Sequence, residues 1–251
     1  MTSVESSHPT APVPLPVLAS VPASGDRRRH PAPAHLRFFH GPMDCGKSTL
    51  ALQVDHNQQR QGRHGVLVTQ GDRSSAPQIS SRVGLSRAAV EVDAGTDLKL
   101  LVRDRWAEGH RVDYLIVDEA QFLTADQVDQ LADLVDEGHV DVYAFGLTTD
   151  FRARLFPGTQ RLLEVADDVQ RVQVEVLCWC GLPGLLNARV VDGVMVRSGE
   201  TVVVADTAPA DPPVAEDGSS PAVRYQVLCR RHYVRGELGP VTTGPGQLAL
   251  P

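Results

Sequence analysis

The chain has 251 residues, 42% of them hydrophobic, which is enough for one sizeable domain with a small appendage. A net charge of -7 supplies no overall basic field and argues against duplex nucleic acid as a main partner. The 4 cysteines are too few for a disulfide scaffold, and those late in the chain stand beside a histidine, a pattern of reducing compartments and bound metal.

Residues 1–34 are rich in Pro, Ala and Ser around a basic knot, Arg27-Arg28-Arg29. Such a segment buries too little apolar surface to offset the entropy of ordering, so a disordered tail is expected. Pro12, Pro14 and Pro16 break the apolar residues from Ala11 to Ala19, so no signal peptide is read. No stretch reaches the ~18 to 20 apolar residues that cross a bilayer, and a cytoplasmic protein without a membrane partner is expected.

The main domain is expected over 35–176. Leu36 to His40 is a β-prone run that feeds into a glycine motif, and Ser48 to Gln61 are good helix formers stopped by Gly62. Val66 to Thr69 reads as a second strand. Leu98, Leu101, Val102 and Trp106 then repeat at helical spacing between Thr96 and Gly109. Tyr114 to Val117 is a continuous apolar run, as in a strand buried on both faces, with Asp118 and Glu119 at its carboxyl end. Thr124 and Gln127 make a capping box ahead of Val128, Leu131, Leu134 and Val135, and Val140 to Phe145 supplies another strand. This alternation predicts the α/β class: a parallel sheet flanked by helices, with ligands beyond the carboxyl ends of the strands.

A small β-rich subdomain is expected over 177–236. Short β-like runs, Ala188 to Val196 and Thr201 to Ala205, lie between two cysteine clusters and enclose a flexible loop at 206–221. The Gly/Pro-rich residues 237–251 read as a disordered tail.

Gly41-Pro42-Met43-Asp44-Cys45-Gly46-Lys47-Ser48-Thr49 fits the phosphate-cradling pattern G-x-x-x-x-G-K-S. Its glycines let backbone N–H groups turn towards phosphate oxygens. The following helix adds its positive end, Lys47 reaches the β- and γ-phosphates of a nucleotide, and the Ser48 hydroxyl takes Mg2+. The bland alternative is a glycine turn with a surface lysine. Asp118 stands where nucleotide enzymes place the second carboxylate that holds Mg2+ through water, although alone it could be a strand-end cap. Successive side chains at a strand end diverge, so Glu119 is free to act as general base towards a substrate hydroxyl. Cys178, Cys180, Cys229 and His232 form two close pairs of the donors that tetrahedral Zn2+ prefers, with Cys178-x-Cys180 one residue tighter than usual. Buried free cysteines are the alternative, and nothing marks the zinc as catalytic.

These residues resemble the type II thymidine kinases. "GPMDCGKST", "DEAQF" (Asp118 to Phe122), "GLTTDFRARLFPG" (Gly146 to Gly158) and "YQVLCRRH" (Tyr225 to His232) come in that family's order and span roughly Leu36 to Gly236. The resemblance implies a P-loop NTPase-like α/β domain followed by a zinc-bearing lasso. It also implies transfer of the γ-phosphoryl of ATP to the 5′-hydroxyl of thymidine or deoxyuridine in nucleotide salvage. Glu119 matches the base, Ser48 and Asp118 the magnesium site, and Arg73 in "GDRSS" an arginine near the transferred phosphoryl. Met43, Phe122 and Phe151 match positions around the nucleobase, Tyr225 a lasso tyrosine beside the nucleoside, and Asn187 joins the same substrate set. Members are typically homotetramers inhibited by dTTP. Without the resemblance Arg73 would read as a surface arginine and the aromatics as core.

The chain departs from the family at Asp44 and Cys45 in the loop, at Gly71, Ser74 and Thr148, and in the Cys-x-Cys spacing. Asp44 puts a carboxylate near the phosphates, where it either points outward or weakens ATP binding by repulsion. Two other readings follow. One is a nucleotide-dependent switch binding nucleic acid through Arg230, Arg231 and Arg235; the other is a degenerate kinase that senses thymidine or dTTP without turnover.

Overall fold

A computed structural model describes residues 33–70, 77–199 and 223–240. Arg73, the 201–205 run, the 206–221 loop and most of both expected tails lie outside the described residues. In chain order the elements are β1 (Leu36–Gly41), α1 (Lys47–Arg60), β2 (Gly65–Gln70), β3 (Gln78–Ser80), β4 (Ser86–Ala88), β5 (Val90–Val92), α2 (Leu98–Ala107) and β6 (Tyr114–Asp118). A single 3-10 turn, Ala120–Phe122, leads to α3 (Ala125–Asp136), β7 (Asp141–Leu147), α4 (Pro157–Val165) and β8 (Asp168–Arg171). Then come β9 (Leu186–Val191), β10 (Val194–Val196), β11 (Val223–Leu228) and α5 (Arg230–Arg235).

The main sheet has 6 strands in the order β5-β2-β6-β7-β1-β8, and every neighbouring pair is parallel. Successive residues of each strand serve opposite layers, which explains the unbroken apolar runs. Phe38, Leu115, Val117 and Ala144 pack with Leu98, Val102, Val128, Leu131 and Leu162 of α2, α3 and α4. Phe39, Tyr114, Ile116 and Phe145 pack with Ala51 and Leu52 of α1. Each Val, Leu, Ile or Phe among them contributes about 1.5–3 kcal/mol when fully buried.

The capping box forms as the sequence indicates: Thr124 Oγ1 accepts from Gln127 N–H and Gln127 Oε1 accepts from Thr124 N–H, both at 3.1 Å. The apolar stripe of α2 is narrower than its spacing suggests, since Leu98 and Val102 are buried while Trp106 is 38% exposed.

The second sheet is antiparallel, ordered β10-β9-β11. The run from Ala188 to Val196 is therefore two strands, turned at Asp192 (φ 49°) and Gly193 (φ 80°), the positive angles of a tight hairpin. Cys178, Ala188, Leu228, Cys229 and Tyr233 form its core. Glu237, Leu238 and Gly239, assigned from sequence to the tail 237–251, lie instead against this unit. Glu237 N–H donates to His232 O at 2.9 Å, and Leu238 packs on the core. No helix among the described residues is long and apolar enough to cross a membrane.

Candidate active site

β1 ends at Gly41 and α1 starts at Lys47, so the glycine motif is the turn between a buried strand and a helix N-terminus. A Cβ at Gly41 would lie 2.5 Å from Cys45 Sγ, so only glycine lets the loop close over that buried thiol. Gly46 caps α1 at φ 80°, a left-handed angle that glycine adopts without strain. Lys47 is buried, and its Nζ donates to Pro42 O at 2.9 Å, which arches the ammonium over the loop. Asp44 takes the outward alternative: Arg82, in the β3–β4 turn, stands 2.7 Å from its carboxylate, and both side chains are substantially exposed. Met43 N–H donates to Oδ1 of the buried Asn187 on β9 at 2.9 Å.

β6 delivers the two carboxylates. Ser48 Oγ donates to Asp118 Oδ2 at 2.8 Å, joining the start of α1 to the end of β6. Burial, followed by the neighbouring Glu119 charge, pushes the Asp118 carboxyl up to about 6. Hydrogen bonds from Ser48 and the Glu119 amide, with the Lys47 charge, oppose that rise. Glu119 sits at φ 55°, a left-handed angle that costs a non-glycine residue about 1–3 kcal/mol and ends the strand abruptly.

Gln121, just beyond, is almost fully buried. Its Nε2 donates to Glu119 Oε2 and its Oε1 accepts Leu147 N–H at 2.8 Å, so it fixes the carboxylate against the end of β7. Gly146 leaves room for it, because a Cβ there would come within 3.0 Å of the Gln121 amide nitrogen and Oε1. Sequence reasoning quoted Gln121 only as a motif letter; its one signal was a polar residue between the catalytic candidates and an aromatic.

The remaining candidates surround the "GLTTDFRARLFPG" segment. Asp150 accepts from the N–H groups of Arg152 and Arg154 at 2.8 and 2.9 Å and so shapes the turn that carries Phe151. Phe151 is buried, with Arg189 of β9 over its ring at 5.2 Å and Arg152 at 5.5 Å. Phe122 meets Phe156 edge-on with ring centroids 5.6 Å apart. Tyr225 on β11 pairs in register with Arg189; burial pushes its phenol up, against the arginine's charge. The structure thus brings the loop, Asp118 and Glu119 together at the carboxyl ends of β1 and β6, and ties Met43 to Asn187.

The donor atoms of Cys178, Cys180, Cys229 and His232 all lie within 4.8 Å of one another. Cys178 Sγ is 3.3 Å from His232 Nδ1 and Cys180 Sγ is 3.9 Å from Cys229 Sγ. Tetrahedral zinc with ordinary ligand bonds needs separations of about 3.5–3.8 Å, so the set fits zinc. The His232 amide near Cys229 holds that thiol below its usual range, favouring a thiolate ligand. The single spacer residue, Trp179, stacks on the His232 ring with centroids 4.2 Å apart. His232 Nε2 lies 3.5 Å from Glu237, the outward carboxylate that commonly orients a ligating imidazole.

The thymidine kinase family profile matches residues 34–233. A thymidine kinase of Streptomyces coelicolor is 55% identical over 200 residues, covering 80% of this chain and 88% of its own. One from Cutibacterium acnes is 49% identical over 209 residues, covering 83% and 92%. Among solved structures, the Pif1 helicase of Candida albicans aligns with a TM-score of 0.35 at 14% identity over 56% of this chain and 36% of that one, too slight a likeness to bear on fold or function. With a family profile matching residues 34–233 and relatives identical at about half of the aligned positions, the chain belongs to the thymidine kinase family and is an enzyme of that kind, a phosphotransferase acting on an alcohol.

Proposed function

We propose that the enzyme transfers the γ-phosphoryl group of ATP to the 5′-hydroxyl of thymidine, and of deoxyuridine, in nucleotide salvage. The observation that supports this most is the pairing of a buried Lys47 arched over the phosphate loop with a Glu119 carboxylate held by Gln121 at the neighbouring strand end. Glu119 takes the proton of the 5′-hydroxyl as that oxygen bonds to the γ-phosphorus. The bond to the β–γ bridging oxygen breaks, and ADP leaves with its charge held by Lys47 and the loop amides.

Ser48 Oγ and Asp118 Oδ2 would hold Mg2+, which when bound neutralises phosphate charge. Arg73 is assigned by family resemblance to the same charge. Met43, Phe122, Phe151, Asn187 and Tyr225 would surround the nucleoside, and Cys178, Cys180, Cys229 and His232 would hold a structural zinc ion. A homotetramer and feedback inhibition by dTTP are proposed on the same resemblance, and a cytoplasmic location on the proline-broken composition of the N-terminal segment. The Asp44–Arg82 ion pair gives the Asp44 charge an exposed partner, which weakens one of the motives for a sensor without turnover.

Labelled ATP, offered with each natural deoxynucleoside, is expected to label thymidine and deoxyuridine. Glu119→Gln is expected to fold normally and lose turnover by about 100-fold or more. Full turnover in that variant would remove Glu119 from the role of base.

A further inference from the structure

Among the described residues, the contacts between the unit of the Cys/His cluster and the nucleotide-handling part of the enzyme include two hydrogen bonds that join distant segments. One is Asn187 Oδ1 accepting Met43 N–H. The other runs from α5, where Tyr233 O–H donates to Phe151 O at 2.6 Å across 82 residues of sequence. Tyr233 follows the zinc-ligand candidate His232 directly and is buried in the small core with Cys178, Leu228 and Cys229.

The ring of Tyr233 is fixed from several sides. Its N–H donates to Cys229 O at 3.0 Å, and the Arg197 guanidinium lies over the ring at 5.1 Å. Arg197 also donates to Tyr233 O, and to Val234 O at 2.8 Å, closing the end of the short helix. A phenol held this firmly presents its hydroxyl at one place, and that place is the Phe151 carbonyl. On the far side of the same peptide, Asp150 gathers the Arg152 and Arg154 amides. The Phe151 peptide is therefore pinned at both ends, once by its own turn and once by the zinc-bearing unit.

We propose that Tyr233 is a positioning residue for the nucleoside: its hydroxyl holds the Phe151 peptide in place, so that with Asn187 on Met43 the zinc-bearing unit sets both walls of the nucleoside site. This rests on the reading that Phe151 and Met43 line that site. The hydroxyl is suited to the role because the ring alone supplies the packing in the small core. Removing the oxygen leaves that core filled and frees only the Phe151 carbonyl.

Tyr233→Phe in the full chain tests this, with steady-state kinetics in both substrates and metal content measured on the same preparation. The expected result is a rise of about fivefold in the KM for thymidine, the size of one lost buried hydrogen bond, with kcat, the KM for ATP and zinc content unchanged. In a Phe151→Ala background the same substitution is expected to add less than twofold, because the two act through one contact. Equal rises in both KM values, a fall in kcat alone, full additivity with Phe151→Ala, or loss of zinc would each overturn the proposal. Phe151→Ala with an unchanged KM for thymidine would instead remove Phe151 from the nucleoside site, a distinct failure. Should Tyr233→Phe not fold, Asn187→Ser at the opposite wall is expected to raise the KM for thymidine with zinc retained; an unchanged KM there would equally overturn it.

Discussion

The phosphate loop and the small unit with the Cys/His cluster keep their shapes by different means. The loop is built from consecutive residues: a glycine that admits Cys45, a left-handed glycine at the helix cap, and a lysine folded back onto a carbonyl 5 residues earlier. Its geometry is local backbone chemistry backed by a large core. The small unit instead gathers its Cys/His donors from segments 49 to 54 residues apart, with a small apolar core. The difference teaches that the phosphate loop is self-supporting, whereas under the proposed function the nucleoside walls would depend on a metal staple some distance from the chemistry.

The sharpest way to break that comparison is to remove the metal. Chelation at neutral pH, or Cys229→Ser, is expected to raise the KM for thymidine at least about tenfold while circular dichroism of the α/β core is retained, because a metal staple supplies the folding energy of its own unit. If the core melts together with the small unit, the two are not separable. A smaller effect sharpens the self-supporting side. Gln121→Met deletes the donor that holds Glu119 and is expected to lower kcat about fivefold, with the KM for thymidine unchanged. Smallest is Arg82→Ala, which leaves Asp44 without its partner. The KM for ATP is expected to rise about two- to threefold at low salt and to return towards normal at high salt, as for an exposed ion pair.

What the sequence made legible follows the same division. β1, the loop, α1, β6 and the α3 cap are written in consecutive residues, by apolar runs, glycine spacing and a reciprocal Thr124–Gln127 cap. The β3–β4 hairpin and β8 are short and largely polar and β5 is only 3 residues long, so their strand character comes mainly from pairing. α4 begins with Pro157 and Gly158, and Gly158 packs where a Cβ would strike the carbonyls of Leu123, Ala120 and Gln121; no side-chain cap marks its start. The contacts of Gln121 with Leu147 and of Tyr233 with Phe151 are not legible in the sequence because these partners lie 26 and 82 residues away. The direction of Asp44 was open for the same reason, since its answer is an arginine on a hairpin that periodicity did not reveal.

The stacking of Trp179 on His232 gives the enzyme an optical gauge. The chain has only 2 tryptophans, and Trp106 belongs to α2, which flanks the main sheet. Ultraviolet emission from the indole lying against an imidazole will change when that ring gains or loses a cation, so occupancy of the small unit can be followed in real time without any added dye.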